Sequence, residues 1–400
     1  MVSSKIKTFL YTRIYTPLKA FQIRHKKRIN VIFVVSELGC WKTELLYRQM
    51  LVHPRFEPHI AVSPLYGTKE DAVEDVIRYL TDKGYEFKVV SPDKRLSSYF
   101  PVRDVVFYQQ PYNDAVCPNH RISKNLTSLF CYVMYSMSAT INEACFSHAL
   151  FTLAWQLYFE NKSVSEDLSR LMNREYPNVK ITGHTIGDEF LQPLDQLHNP
   201  WKNQPGSKKK IIWAPHHTLP DEQGWLNNST FLSYYDFMLG MADKYCDNVQ
   251  FAFKPHPMLR AKLEKRWGRI KTDEYYSEWQ NRPNTQLEEG KYIGLFMHSD
   301  AMIHDCDSFI VEYQYSDNPA LFCENGIDHR SALSTYAKEA YDLHYKAYTK
   351  EDMERFINDV ISGNDSKKES REAFRKSNLL PPNGKSACEN IIDEILGKRT

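Results

Sequence analysis

"KKRINVIFVVSELGCWKTELLYRQML", residues 26–51, decides the fold. From Ile29 to Val35 every residue but Asn30 is apolar, and most are β-branched or aromatic. Such a run reads as a strand covered on both faces, as in a parallel sheet. It ends in the polar loop SELGCW, and from Lys42 a helical pattern continues through Met50 and Leu51. Strand, short polar loop and helix together form the opening unit of a doubly wound sheet. Glu37, Trp41 and Lys42 sit on that first loop, on the edge where open α/β sheets take ligands.

The rhythm continues outward from this unit. HIAVS (59–63), EFKVVS (86–91), DVVFYQQPY (104–112) and VKITG (179–183) read as strands, and DAVEDVIRYLTDKG (71–84) reads as an amphipathic helix. Residues 120–178 read as mostly helical, and VKITG as the last strand of this half. HNPWKNQPGSKKK (198–210) carries no periodicity and is rich in Pro, Asn, Gly and Lys, so it is expected to link two domains. After it come strand-like IIWAP (211–215), VQFAFKP (249–255), AMIHD (301–305) and PALFCE (319–324). Helices are expected over 229–245, near 258–268 and from Ser308. Alternation at this spacing predicts parallel sheets. The expected organisation is an arm (1–28), a first domain (29–197), a linker (198–210) and a second domain (211–400) that includes the charged, helical last forty residues.

Bulk numbers narrow the function. With 42% hydrophobic and 25% charged residues among 400, the chain is an ordinary globular protein with room for two domains. Its formal charge of +1 advertises no nucleic-acid partner. Residues 1–28 are the exception, with eight Lys or Arg and no acid. Ile6, Phe9, Leu10, Ile14, Leu18 and Phe21 recur among those cations at roughly helical spacing. A basic amphipathic helix of this kind lies on an anionic membrane surface, although Pro17 interrupts the pattern and a solvated arm is the plainer alternative. No run reaches the ~20 apolar residues of a spanning helix, and the arm lacks the apolar core of a secretory signal. The eight Cys occur singly, which fits reduced thiols in a cytoplasm. The expected location is therefore cytoplasmic and peripheral, on the inner face of the membrane.

Three strands of the second half end in unusual polar residues. WAPHHT places His216 and His217 beyond a strand stopped by Pro215, and FKPHPML places Lys254 and His256 beyond the next. SDAMIHDCDSFIVEY (299–313) places Asp305, Asp307 and Ser308 beyond a third. In a parallel sheet all three ends fall on one edge. Imidazoles, an amine and a helix amino terminus then converge on one pocket, a set that suits phosphate. Asp307 or Ser308 is expected to cap the helix, and Glu312, one turn in, to reach a ribose diol. Taken alone, such N-cap residues precede many ordinary helices. Neighbours on a strand alternate sides, so only one of His216 and His217 is expected to reach the ligand. HxxxH and HxH pairs are absent near these motifs, as are GxSxG, GxGxxG and the P-loop, so no metal, serine-hydrolase site or dinucleotide cofactor is expected.

The order WAPHHT … FKPHP … SDAMIHDCDSFIVEY … NPALF resembles the donor half of the CDP-glycerol glycerophosphotransferase family, the teichoic-acid and capsule polymerases. Asp305 matches that family's Asp, Asp307 and Ser308 its paired Ser, and Glu312 its acidic residue. Gly183 and Asp188 in ITGHTIGDEF (181–190) match the segment leading into the donor domain. The resemblance covers about 180–325 and implies a GT-B fold, two Rossmann-like domains facing a cleft. It implies a CDP-alcohol donor, with His256 and Ser308 on its pyrophosphate and Glu312 on its ribose. It also implies a polyprenol-linked glycan acceptor on the cytoplasmic face of the membrane, and no cofactor. Two features depart from the pattern. Asp307 replaces a phosphate-binding Ser, and the family's HGTP element has no clear counterpart. By order along the chain, His120 in CPNHRISKN (117–125) stands nearest to that element's catalytic His, with Glu37 and Lys42 on the first βα loop as alternatives facing the same cleft. A GT-B glycosyltransferase using a nucleotide sugar and a non-catalytic scaffold of the same fold are the rival readings.

Overall fold

Residues 26–51 fold much as their pattern dictates: β1 spans Ile29–Val35 and a helix spans Glu44–Val52. The computed structural model describes residues 2–65, 71–108, 110–112, 115–220 and 228–398, without the side chains of 2–5, 71, 72, 144 and 145. Gln109, within the strand read over 104–112, and the side chain of Lys5 lie outside the described residues.

β1 is the third strand of a seven-stranded sheet. The others are β2 (Phe56–Val62), β3 (Phe87–Val89), β4 (Val105–Tyr108), β5 (Leu129–Val133), β6 (Gln156–Phe159) and β7 (Val179–Ile181). The order is β3-β2-β1-β4-β5-β6-β7, parallel throughout. The second sheet holds β8 (Lys209–Ala214), β9 (Val249–Phe253), β10 (Thr285–Leu287), β11 (Ala301–His304), β12 (Ala320–Cys323) and β13 (Tyr345–Ala347). Its order is β10-β9-β8-β11-β12-β13, again all parallel. Each sheet therefore reverses direction of growth once, between β1 and β4 and between β8 and β11. A crevice opens at the carboxyl ends beside such a reversal.

Residues 120–178 are not mostly helical: they contain β5 and β6. Their side chains are buried on both faces, so LFCYV and QLYF lack the alternation that marks a half-exposed strand. Burial also explains why each core is aromatic. In the second unit Trp213 stacks at 5.6 Å on Phe231 and 5.0 Å on Phe253, with Trp279 at 5.5 Å. Each such side chain contributes roughly 2–3 kcal/mol by leaving water.

The chain divides into two units, Met1–Glu189 with Leu379–Thr400, and Phe190–Asn378. Two sequence boundaries therefore move. The segment read as a linker packs on the second unit, because Trp201 is buried and its Nε1 donates to the Leu295 carbonyl at 3.1 Å. The last helix, Ala387–Leu396, belongs to the first unit instead of closing the second. Its first amides, Ala387 and Cys388, donate to the Asp188 carboxylate at 2.7 and 2.8 Å. An acid at a helix amino terminus answers both the orphan amides and the dipole. Gly183 serves the same joint: its φ is +82°, and a Cβ there would meet Pro381 at 2.8 Å.

Candidate functional site

Three loops leave the carboxyl edge of the second sheet beside its reversal. β8 ends at Ala214, and Pro215, with no amide hydrogen, stops the ladder. His216 and His217 therefore lie beyond the strand, and the alternation expected to separate them does not apply. Both rings converge with His256: centroids lie 4.4 Å apart for His216 and His217, 5.2 Å for His216 and His256, and 4.1 Å for His217 and His256. The His256 loop is registered against β8 by its own amide, which donates to the Pro215 carbonyl at 3.1 Å.

Asp305 holds this arrangement from beneath. It is buried, and it accepts from the His216 amide (2.6 Å), the Thr230 amide (2.6 Å) and the Thr230 hydroxyl (2.7 Å). Burial pushes its pKa up to about 6 although those three donors oppose the shift. With both oxygens engaged, Asp305 positions the loop after β8 and is not itself a phosphate contact. Asp307 does not cap its helix. The N-cap is Cys306, whose side chain makes no capping bond, because β11 ends at His304 and the turn comes earlier than expected. Asp307 instead accepts from Asn228 Nδ2 at 3.1 Å and lies 3.5 Å from His329 Nδ1. Ser308 is exposed on the six-residue helix Asp307–Glu312, so it is not a cap either. Glu312, expected to meet a ribose, is buried, with 2% of its surface exposed.

The imidazoles can be assigned as donors or acceptors. Nδ1 of His256 accepts the Met258 amide at 3.1 Å, and Nδ1 of His216 accepts the Thr218 amide at 3.3 Å. An amide only donates, so in the neutral rings the proton sits on Nε2. Burial and then the neighbouring histidines pull both pKa values down to about 3, so both rings are neutral at pH 7. The nitrogen ligand atoms of the three histidines lie within 4.8 Å of one another, close enough for a metal ion. Nε2 on His216 and His256 carries a proton that a metal would have to displace, whereas an anionic oxygen accepts it. The donor set fits an anion better than a cation. Lys254 adds an amine. It is buried, which lowers its pKa, while Glu288 and Glu289 favour its charged form.

The first unit answers differently. His120 is fully buried: Ser63 Oγ lies 2.7 Å from Nδ1, and the Ser91 and Lys94 carbonyls lie 3.0 and 3.1 Å from Nε2. Both nitrogens are occupied in tying together the loops after β2 and β3, so this is a structural histidine and not a base. Trp41 is also core, packed edge-on to Tyr79 at 6.5 Å and Tyr85 at 6.3 Å. Glu37 remains at the carboxyl edge beside the reversal of the first sheet, half-buried, with Gln110 Nε2 at 3.3 Å. Lys42 is half-buried, and its backbone carbonyl receives the Thr185 hydroxyl.

Sequence reasoning passed over Thr218, Asn228, Thr230 and His329. The polar run at 228–230 ahead of a helix was a usable signal. His329 left none, because its pairing with Asp307 is purely tertiary.

No protein-family model matches the chain, and no curated protein matches it in sequence. Solved structures do. The wall teichoic acid polymerase TagF superposes with a TM-score of 0.62 at 14% identity, over 99% of this chain and 97% of that one. A TagF variant soaked with CDPG gives 0.58 at 12% identity, over 99% and 97%. The UDP-GlcNAc 2-epimerase from Neisseria meningitidis bound to UDP-GlcNAc gives 0.55 at 14% identity, over 93% and 100%. At such identities the likeness establishes the two-unit GT-B-type fold.

Proposed function

We propose that the protein transfers a polyol phosphate, glycerol phosphate foremost, from a CDP-activated donor to a hydroxyl of a membrane-linked surface glycan. The observation that carries this reading is the cluster of His216, His217 and His256 at the carboxyl edge, where two neutral rings present Nε2 hydrogens beside Lys254. It supports a diphosphate ligand. The fold-level likeness to a polymerase solved with CDPG supports the choice of donor.

In this reading the acceptor oxygen attacks the donor's β-phosphorus in line, the bond to the bridging oxygen breaks, and CMP leaves. The acceptor proton passes to a general base. Imidazole hydrogens and the amine stabilise the charge that gathers on the leaving phosphate. His216 is placed by Asp305, which acts through it and not on the substrate. No described helix is long and apolar enough to cross a membrane. Surface attachment is assigned to the arm, whose helical residues leave Phe9 59% and Phe21 66% exposed.

A second reading, a nucleotide-sugar enzyme, is favoured by the epimerase likeness. Calorimetric titration with CDP-glycerol, CDP-ribitol and UDP-GlcNAc separates the two, followed by product analysis. CMP release with a new phosphodiester supports the transferase. Binding of UDP-GlcNAc alone refutes it.

A further inference from the structure

A groove of about 490 Å³ lies in the first unit, far along the chain from the loops described above. One wall is the arm helix, through Arg13, Thr16 and Arg24, and the other is the segment carrying Trp155, Arg174 and Asn178. Three guanidinium groups therefore line one cavity. Among the described residues none of them has a carboxylate within ion-pair distance. Arg24 donates to the carbonyls of Glu394 (3.2 Å) and Ile395 (3.4 Å) and lies 5.7 Å from the Trp155 ring. Arg174 donates to Thr152 Oγ1 at 3.1 Å and sits 4.6 Å over Tyr176. Arg13 is exposed. Glu175 also lines the groove, which leaves an excess of positive charge.

The position of the groove identifies its ligand. Arg13, Thr16, Pro17, Ala20 and Arg24 of the arm all line the groove. Leu10, Ile14, Leu18 and Phe21 are exposed and lie outside its lining. A membrane that receives those apolar side chains brings its headgroups level with the groove mouth. Guanidinium forks match phosphate oxygens, and Trp is suited to the interface. We propose that this groove binds the phosphate of an anionic lipid headgroup, so that the arm is held by a specific site as well as by diffuse charge. This rests on the membrane-surface part of the function proposed above.

The test uses the full chain and vesicles of phosphatidylcholine, with and without one-fifth phosphatidylglycerol, in a sedimentation assay. The pair Arg13→Gln with Arg174→Gln removes groove cations. The pair Lys7→Gln with Lys27→Gln removes the same charge from exposed arm positions outside it. The groove pair is expected to lose at least tenfold more affinity for the anionic vesicles than the control pair. Equal losses overturn the site and leave only diffuse attraction. Inorganic phosphate at millimolar level and matched ionic strength separates the sources. Vesicle binding that persists supports a headgroup, whereas displacement by free phosphate overturns it. Phe9→Ser with Phe21→Ser tests the underlying reading. If that variant still sediments like wild type, membrane attachment through the arm fails. If it is released while the two cation pairs behave alike, only the groove fails.

Discussion

Replacing His256 by Ala probes the donor site most directly. The Met258 amide fixes its ring with Nε2–H as the free donor, and the ring is neutral because burial and the adjacent histidine pull its pKa to about 3. A hydrogen bond from such a donor to a phosphate oxygen is charge-assisted and contributes about 1.5–3 kcal/mol. Its loss should weaken CDP-glycerol binding about 10- to 150-fold by titration calorimetry. The orphaned Met258 amide reaches water, because Met258 is 54% exposed, so folding should survive. His256→Gln keeps an N–H and should recover part of the affinity. The pH dependence carries a sign. A bound diphosphate favours the cationic ring, so the pKa rises on binding from about 3 and the gain in affinity lies on the acid side; between pH 8 and 6 the ring stays neutral, so wild type and His256→Ala should differ by the same factor at both pH values. An Ala variant that binds within threefold of wild type at both pH values would refute the argument.

Other expectations follow from the same geometry. His304 is 1% exposed and burial holds its pKa near 3, against 6.5 when free. Its neutral form is the folded one, so that stability is whole above pH 6.5 and drains away as pH falls toward 3. Between pH 7 and 5 the loss is ~2 kcal/mol in denaturant titrations, and His304→Gln should flatten the slope; parallel curves would exclude it as the cause. Asp305→Ala leaves buried amides of Thr230 and His216 without their acceptor and should cost ~3 kcal/mol while also abolishing donor binding; an unchanged midpoint would contradict the positioning role. Gly294→Ala drives a Cβ into the His198 carbonyl and should destabilise the second unit by ~2 kcal/mol, read from its unfolding midpoint. Asp104 pairs with Lys26 at 2.7 Å and Lys19 at 3.6 Å, so Asp104→Asn should loosen the arm by ~1 kcal/mol and speed protease cleavage near residues 24–28.

What the sequence determined by itself was periodic or local. Buried strands such as INVIFVV and IIWA announce themselves by composition, and a Pro after a strand announces where its polar loop begins. From these came the parallel α/β units, the arm, and the edge on which His216, His217 and His256 lie. Only the tertiary structure decided how each polar residue is spent. Asp305 became a brace because Thr230, seventy-five positions away, supplies two donors to it. His120 became part of the interior because the loops after β2 and β3 close over both its nitrogens. The two neighbouring histidines came together because the strand stops one residue before them. Hydrogen bonds are short-ranged and the partners distant in sequence, so nothing in the local pattern encodes them. The same holds for the last helix, whose apolar stripe fits either unit until Asp188 meets its amino terminus.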